Sequence, residues 1–424
     1  MTELFVGIDV GTSGVRACAV DISGEIKGAA AVPLVVPRQD GNAIDQDPEL
    51  WWQATVAALD KLGRIVDLGA VAHIAVDGTS GTLLLIDADG RPRSLGLMYN
   101  DARAVDEARR IAAVAPPESG AHGTSSPLAK LLHLLASTSG ARHAVHQADW
   151  IAGRLAGRHG VSDENNALKL GYDPVRREWP QWIDQLGVPR DVLPSILVPG
   201  TPFADIDPAI ARSLGLSPST RIVAGTTDGV AAFIATGADT PGDAVTSLGT
   251  TLVVKLVATQ PIFAADQGVY SHRLGDKWLA GGASNSGGAA LLAHFTTDAM
   301  DRMTPLLRPD EPTGLDYYPL QKPGERFPIA DPALAPRITP RPVEDHRFFQ
   351  ALLEGIAGVE ALAYRRLHAL GAPALRRVIS IGGGVRNDAW TDIRRRIVGV
   401  PVSVAAQTEA SYGTALLALQ GPPR

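Results

Sequence analysis

The chain has 424 residues, 45% of them hydrophobic and 20% charged, with a net charge of −6. This length exceeds what one hydrophobic core usually supports, so we expect two domains. The acidic balance without a basic tract argues against nucleic acid or an anionic membrane as a partner. The single cysteine, Cys18, cannot form an intramolecular disulfide, which is typical of a cytoplasmic protein. No segment is long and apolar enough to span a bilayer, and Walker-type and G-X-G-X-X-G loops are absent.

The first predicted element is a buried strand, Leu4 to Ile8, which leads through a glycine-rich turn into a returning strand. Thr12 and Ser13 place hydroxyl and backbone N–H groups at this turn, where successive amides can bind an anion. Asp9 at the strand end would repel a phosphate, so the pattern predicts a nucleotide that brings Mg²⁺ with it. An ordinary glycine-rich hairpin with a surface aspartate is the alternative interpretation.

A second buried strand, Val71 to Val76, is followed by a polar turn, and a helix is predicted from Asp101 to Val114. Polar groups near these elements would suit a polyhydroxylated ligand. The candidates are Asp77, Ser80, Asn100, Asp101 and Arg103. For Asp101 and Arg103 the alternative is a helix N-terminal charge and a solvated face.

The second half begins with a strand, Arg221 to Ala224, which opens into G-T-T-D-G before a helix. Asp228 therefore lies at the carboxyl end of a strand, where open α/β sheets bind ligands, and it is the candidate general base. A simple N-cap role is the alternative for this residue. A further strand, Ala244 to Leu248, leads into the turn Gly249-Thr250-Thr251, which echoes the first hairpin and suggests an internal duplication.

Near the end of the chain, Gly383 and Gly384 lie between a buried strand and a helix, which would allow close backbone approach to a nucleotide. Trp390 on that helix could cover an adenine, although a core tryptophan is an equally good interpretation. Strands alternating with helices indicate an α/β architecture.

Taken together, these motifs resemble the FGGY carbohydrate kinases, members of the actin and sugar-kinase ATPase superfamily, over essentially the whole length of the chain. The matching motifs include G-I-D-V-G-T-S-G-V-R-A from Gly7, A-V-D-G-T-S-G-T from Ala75, N-D-A-R from Asn100, A-G-T-T-D-G from Ala224, T-S-L-G-T-T from Thr246 and G-G-G-V-R-N-D-A-W from Gly382. Within this family, N-A-L-K-L-G-Y from Asn166 and G-L-D-Y-Y-P-L from Gly314 are similar to the compact D-ribulose kinases of cyanobacteria and plants, often labelled xylulose kinases.

The resemblance implies two actin-like, ribonuclease H-like lobes, residues 1–224 for the sugar and residues 225–424 for the nucleotide, with an ATP and sugar cleft between them. The final helix, about 410–420, is expected to pack on the first lobe. Asp9, Ser80 and Asp228 would contact the sugar, and Asp9 would hold Mg²⁺ through water. The residues implied in ATP binding are Thr12, Ser13, Arg16, Gly249, Thr250, Thr251, Gly383, Gly384, Asn387 and Trp390.

The expected function is ATP-dependent phosphorylation of a terminal hydroxyl of a free ketopentose, D-ribulose first and D-xylulose as the alternative. Xylulose and glycerol kinases usually carry a tryptophan before the Asp-X-Arg element, whereas this chain has Met98-Tyr99-Asn100. A different class of function is an ATP-switched binding protein of the same superfamily with slow ATP hydrolysis, and a third is a sugar sensor without catalysis. We expect a cytoplasmic monomer or homodimer.

Overall fold

The computed structural model describes residues 3–421, which divide into two compact units. The first unit comprises the described residues up to Gly237 together with those from Gln407 onward, and the second comprises Ala238–Ala406. Each unit is built around its own mixed sheet with helices packed on it.

The first unit contains fourteen strands and seven helices before the chain passes to the second unit. Its strands are β1 (Leu4–Val10), β2 (Gly14–Asp21), β3 (Ile26–Pro33), β4 (Arg38–Asp40), β5 (Ala43–Gln46), β6 (Val71–Gly78), β7 (Leu83–Ile86), β8 (Gly96–Leu97), β9 (His143–His146), β10 (Val161–Asp163), β11 (Ser195–Leu197), β12 (Pro202–Asp205), β13 (Arg221–Val223) and β14 (Thr226–Thr227). Its helices are α1 (Pro48–Gly63), α2 (Val105–Ala112), α3 (Pro127–Ser137), α4 (Gln147–Ala156), α5 (Glu164–Ala167), α6 (Pro208–Leu214) and α7 (Asp228–Ala235).

The main sheet of the first unit has the order β12-β13-β6-β1-β2-β3, and β14 also pairs with β6. The strands β1 and β2 form the predicted hairpin, while β6 runs parallel to β1. Every residue of β1 is buried because the sheet is covered on both faces, which explains the continuous apolar run in the sequence. A second sheet, β4-β5-β8-β7-β9, and the pair β10-β11 complete the strands of this unit.

The second unit contains six strands and four helices. The strands are β15 (Asp243–Leu248), β16 (Leu252–Ala258), β17 (Tyr270–Leu274), β18 (Lys277–Ser284), β19 (Arg377–Ile381) and β20 (Val402–Val404). The helices are α8 (Gly288–Leu292), α9 (Thr297–Met303), α10 (Asp345–Ala369) and α11 (Asp388–Val398), and the chain then returns to the first unit as α12 (Ala410–Gln420).

The two main sheets repeat one pattern, as the echo between the hairpins suggested. In the second unit the order is β17-β18-β16-β15-β19-β20. The hairpin β15-β16 corresponds to β1-β2, and β19 lies parallel beside β15 as β6 lies beside β1. Both units therefore share one framework: a hairpin, and a further strand that runs parallel to the first strand of that hairpin.

The units divide later in the chain than predicted: the division falls after Gly237 rather than after residue 224. The reason lies in helices α7 and α12, which pack on each other. A side chain at Gly413 of α12 would overlap the backbone of Ala231 in α7, and one at Gly7 of β1 would overlap α12. These close backbone contacts keep α7, and with it Asp228, in the first unit.

The helix predicted from Asp101 begins instead at Val105. The Asp101 carboxylate accepts hydrogen bonds from the backbone N–H groups of Ile44 and Arg103. These bonds hold residues 101–104, which precede the helix, in a non-helical conformation. Among residues 3–421, no helix combines the length and apolar character needed to cross a bilayer.

Candidate functional site

Three carboxylates of the first unit lie at the carboxyl ends of neighbouring parallel strands. Asp9 in β1 stands opposite Asp77 in β6, and Thr226 in β14 stands on the other side of Asp77. Asp228 follows β14 as the first residue of α7. Because strand ends that point the same way meet at one sheet edge, the fold gathers residues far apart in sequence into one acidic site.

Asp77 is the buried member of this set, with no exposed surface. Its Oδ2 accepts a hydrogen bond from the hydroxyl of Thr414 in α12, and its Oδ1 is buried without a hydrogen-bond partner among the described residues. Burial and the neighbouring charge of Asp9 raise the pKa of Asp77 well above its usual range. Asp77 therefore borders the site on its interior side and resists ionisation.

Within this set, Asp9 forms an ion pair with the guanidinium of Arg16. Its Oδ2 lies 3.3 Å from Arg16 Nη1, and Arg16 Nε lies 3.6 Å from Glu409 Oε2. Burial raises the pKa of Asp9 to about 6, the charge of Arg16 opposes this change, and the charge of Asp228 adds to it. The charge of Asp228 therefore makes the ionisation of Asp9 less favourable, so the two carboxylates influence each other.

Asp228 is partly exposed, and its Oδ1 accepts a hydrogen bond of 2.6 Å from the backbone N–H of Gly229. Its position at the N-terminus of α7 favours a negative charge, because unsatisfied N–H groups point toward it. Of the three carboxylates, Asp228 is thus the one that combines accessibility with a stabilised ionised form.

Ser80 lies in the turn that follows β6, and two buried side chains hold this turn. Gln147 Oε1 accepts hydrogen bonds from the backbone N–H of Thr79, at 3.1 Å, and from the Thr79 hydroxyl, at 2.8 Å. Lys130 Nζ donates to the carbonyl oxygen of Gly81 at 2.7 Å. Neither Gln147 nor Lys130 was among the predicted site residues.

Asn100, Asp101 and Arg103 fall into two groups. Asn100 is exposed, whereas Asp101 is fully buried. Arg103 donates to Asp101 at 2.8 Å through Nε and to Asp45 at 2.7 Å through Nη2. The side chains of Asp101 and Arg103 are therefore already engaged in an ion network that ties this segment to β5.

The second unit contains a cavity of about 520 Å³. One end is formed by two turns with small residues. Gly249 and Thr250 come from the β15-β16 turn, and Gly383 and Gly384 come from the 3₁₀ turn Gly383–Arg386 after β19. The remaining wall is largely apolar and comes from α8, α9, α10 and α11. Its residues are Leu291, Leu292, Met300, Pro305, Phe349, Leu353 and Trp390, with Asp301, Thr304, Arg386 and Asn387 at its polar positions.

This cavity has the chemical division that a nucleotide requires: backbone N–H groups and small residues at one end, and an apolar slot at the other. A Cβ added at Gly383 would meet no atom within 4 Å, so open space adjoins its backbone. Apart from Trp390, the apolar wall was not predicted, because its residues are single positions on separate elements and no local motif marks them.

Trp390 and Asn387 line the same cavity but have structural contacts as well. Trp390 is 4% exposed, and its Nε1 donates to the carbonyl oxygen of Leu353 at 3.2 Å. Asn387 caps α11 by accepting from the backbone N–H of Trp390, and its Nδ2 donates to Thr304. These bonds fix the wall of the cavity on α10 and α11.

Of the four remaining predicted nucleotide residues, three lie on hairpin turns and Arg16 lies within β2. Thr12 and Ser13 are exposed in the β1-β2 turn of the first unit. Thr251 belongs to the β15-β16 turn but is not part of the cavity lining. The Arg16 guanidinium donates to Asp9 and remains partly exposed to solvent.

The donor set around Asp9 suits Mg²⁺ held mainly by water and phosphate oxygens. Mg²⁺ in nucleotide sites is usually bound through one or two carboxylates, with the remaining ligands from water and substrate. The described part of the chain has no cluster of three or more histidine, cysteine or acidic side chains arranged to hold a metal ion by themselves. Because Asp77 resists ionisation, the negative charge of the site lies on Asp9 and Asp228, whose charges influence each other, and this charge fits a cation arriving with a nucleotide.

Comparison with known proteins gives two family matches that together cover most of the chain. Residues 4–235 match the N-terminal domain of the FGGY family of carbohydrate kinases, and residues 244–420 match its C-terminal domain. The chain is 25% identical over 416 residues to a xylulose kinase of Escherichia coli, covering 93% of this chain and 85% of that protein. It is 23% identical over 459 residues to a gluconokinase of Bacillus subtilis, covering 99% and 88%. A crystal structure described as a "xyloylose kinase" from Brucella ovis has the same fold, with a TM-score of 0.90 at 22% identity, covering 100% of this chain and 93% of that one.

Proposed function

The chain belongs to the FGGY family of carbohydrate kinases, and we propose that it transfers the γ-phosphoryl group of ATP to a terminal hydroxyl of a free ketopentose, D-ribulose in preference to D-xylulose. The observation that carries this proposal is the set of carboxylates at the strand ends of the first unit, of which Asp228 alone is both accessible and stabilised as an anion. The xylulose kinases among the relatives support a pentulose as the acceptor.

Asp228 is the general base in this proposal. Its carboxylate would accept a hydrogen bond from the acceptor hydroxyl and orient the oxygen toward the phosphoryl group. An ionised carboxylate suits this role, because in a loose, metaphosphate-like transition state the catalyst mainly positions the nucleophile and removes its proton late. Ser80 would hold another hydroxyl of the sugar, and Asp77 would support Asp9 from behind.

ATP would bind in the cavity of the second unit, with its base against the apolar wall and its phosphates at Gly249, Thr250 and Gly383. Asp9 would hold Mg²⁺ through water. When bound, the ion would neutralise charge on the phosphate oxygens. The hydroxyls of Thr12 and Ser13 on the first hairpin would contribute further hydrogen bonds to phosphate.

The preference for D-ribulose rests on the resemblance to compact D-ribulose kinases and on Met98-Tyr99-Asn100, which stands before the Asp-X-Arg element where xylulose and glycerol kinases usually carry a tryptophan. D-Ribulose and D-xylulose differ only in configuration at C3, so a comparison of kcat/KM for the two tests the specificity directly. D-Gluconate and glycerol complete the panel, since a gluconokinase is among the relatives. Higher kcat/KM for D-xylulose than for D-ribulose would overturn the preference, and turnover confined to gluconate would overturn the pentulose assignment.

The role of Asp228 is tested with Asp228→Asn, measured by ADP release and by calorimetric titration with ATP. We expect kcat to fall by about 100-fold or more, a typical contribution of a general base, with ATP affinity retained. Asp207→Asn is a matched control, because Asp207 caps α6 by accepting from Ala209 and Ile210, and asparagine caps a helix about as well. Unchanged turnover in Asp228→Asn would exclude the base role.

A further inference from the structure

Lys130 is a fully buried lysine in the first turn of α3, a helix whose other buried residues are apolar. Its ammonium donates to two backbone carbonyl oxygens, that of Gly81 at 2.7 Å and that of Tyr99 at 3.3 Å. These carbonyls lie in two separate segments, the turn after β6 and the segment after β8. Lys130 is thus the direct link between them.

The surroundings of Lys130 make a buried charge at this position unfavourable for the stability of the fold. Over residues 3–421 no carboxylate forms an ion pair with Lys130, and burial lowers the pKa of its ammonium to about 7. Asp101 is the nearby negative charge, but its oxygens already accept from Ile44 N and from Arg103. A buried ammonium without an ion partner opposes folding.

Locally unfavourable groups in a folded protein are concentrated where function requires them. The two segments joined by Lys130 carry two polar candidates for acceptor binding, Ser80, which is partly exposed, and Asn100, which is exposed. Ser80 immediately precedes Gly81, and Asn100 immediately follows Tyr99. The turn containing Ser80 is also held from α4, where Gln147 accepts from Thr79. Two buried side chains from two helices therefore fix a short polar turn.

We propose that Lys130 is a positioning residue for the sugar acceptor, which holds the segments of Ser80 and Asn100 at a fixed separation through the carbonyls of Gly81 and Tyr99. The proposal rests on the function proposed above, since it assigns Lys130 to the acceptor site of the same reaction. Lys130 does not contact the sugar itself. It acts through the geometry of the two segments, and errors of about 1 Å in such geometry can cost 100-fold in rate.

The experiment compares wild type with Lys130→Met, whose unbranched side chain is one heavy atom shorter and lacks hydrogen-bond donors. Removing a buried, unpaired charge offsets the loss of two hydrogen bonds, so the variant is expected to fold. With the ketose that wild type phosphorylates, D-ribulose or D-xylulose, we expect the sugar KM to rise about tenfold or more while the KM for ATP stays within about twofold. A role in stability alone would reduce the active fraction, and hence kcat, without this separation.

Hydrogen exchange measured by mass spectrometry provides a readout that does not depend on turnover. In Lys130→Met, peptides covering residues 79–82 and 98–101 should exchange faster than in wild type, whereas α1 should not change. Lys61→Met is the matched control, because Lys61 also donates to a carbonyl, that of Ala31, but on the surface. Lys130→Gln, which retains a neutral donor, should give intermediate effects and serves if the methionine variant does not fold.

An unchanged sugar KM, or unchanged exchange in both segments, would overturn the positioning role. If wild type instead forms no ADP with either ketose, the proposed function fails. The exchange data then decide whether Lys130 joins the two segments, and its assignment to a sugar site falls with the function.

Discussion

Gly383 and Gly384 are adjacent at the polar end of the cavity in the second unit. We expect alanine at Gly384 to lower the stability of the fold and alanine at Gly383 to weaken nucleotide binding. A Cβ at Gly384 would lie 2.5 Å from Trp390 Cζ3 and 2.8 Å from Leu248 Cβ. Because carbon atoms in contact lie about 3.5–4.0 Å apart, one of these neighbours must move by about 1 Å. Overpacking of this kind costs about 1–3 kcal/mol, which is the loss of unfolding free energy that we expect for Gly384→Ala.

Gly383→Ala should behave in the opposite way. Its added Cβ would meet no atom within 4 Å, so the unfolding free energy should stay within about 0.5 kcal/mol of wild type. The methyl group would occupy space that the phosphates need, and we expect the Kd for ATP with Mg²⁺ to rise about tenfold or more, since glycine permits close backbone approach to a ligand.

Urea unfolding and calorimetric titration with ATP measure the two effects separately. Gly358→Ala in α10 is the matched control, because its Cβ would also meet nothing within 4 Å but lies outside the cavity lining. That variant should keep wild-type ATP affinity. If Gly383→Ala binds ATP as wild type does, the phosphates do not approach this turn and the placement of the nucleotide is wrong.

Two further predictions concern buried charges. Burial lowers the pKa of Lys130 to about 7 from its ordinary 10.5, so between these pH values only the unfolded state binds the proton and folding is favoured as pH rises. The stability of wild type relative to Lys130→Met should therefore grow by about 2 kcal/mol between pH 7 and pH 9 in urea unfolding, and a constant difference would show an ordinary pKa. Glu360 forms a fully buried two-bond ion pair with Arg394, at 2.7 Å for each bond. Glu360→Gln leaves the guanidinium unpaired and should lower the unfolding free energy by about 3–5 kcal/mol, whereas Asp392→Asn, which removes the exposed pair with Arg395, should cost less than about 1 kcal/mol.

The strands and turns of both sheets were predictable because their signals are local. Apolar runs such as Val71 to Val76 are typical of strands buried on both faces, and the glycine-rich turns between them limit the possible pairings. The two hairpins and the final helix were therefore located closely from the sequence. The predicted helix start at Asp101 was wrong because the competing hydrogen bond comes from Ile44, which is distant in sequence.

The site was predictable only where chemistry and local motif coincide. Asp9, Asp77 and Asp228 each lie at the carboxyl end of a strand, so parallel pairing could be expected to gather them. Gln147 and Lys130 lie on helices without a motif, and only a lone lysine within the apolar run Leu128 to Leu135 could have signalled a buried charge. Which polar groups remain accessible depends on tertiary partners, as Asp101 shows by its complete burial.

The repeated framework explains why the two units suit different ligands. By strand register, Asp9 opposite Asp77 in the first unit corresponds to Ser247 opposite Ile381 in the second. The first position therefore presents two carboxyl groups to its sheet edge, while the second presents a hydroxyl and an apolar side chain. An anion approaching the acidic edge is repelled unless a cation accompanies it, whereas the neutral edge, followed by glycine turns, accepts phosphate through backbone N–H groups. With the ligands proposed above, the same backbone pattern would favour a hydroxylated acceptor in one unit and a nucleotide in the other, through the identity of four side chains.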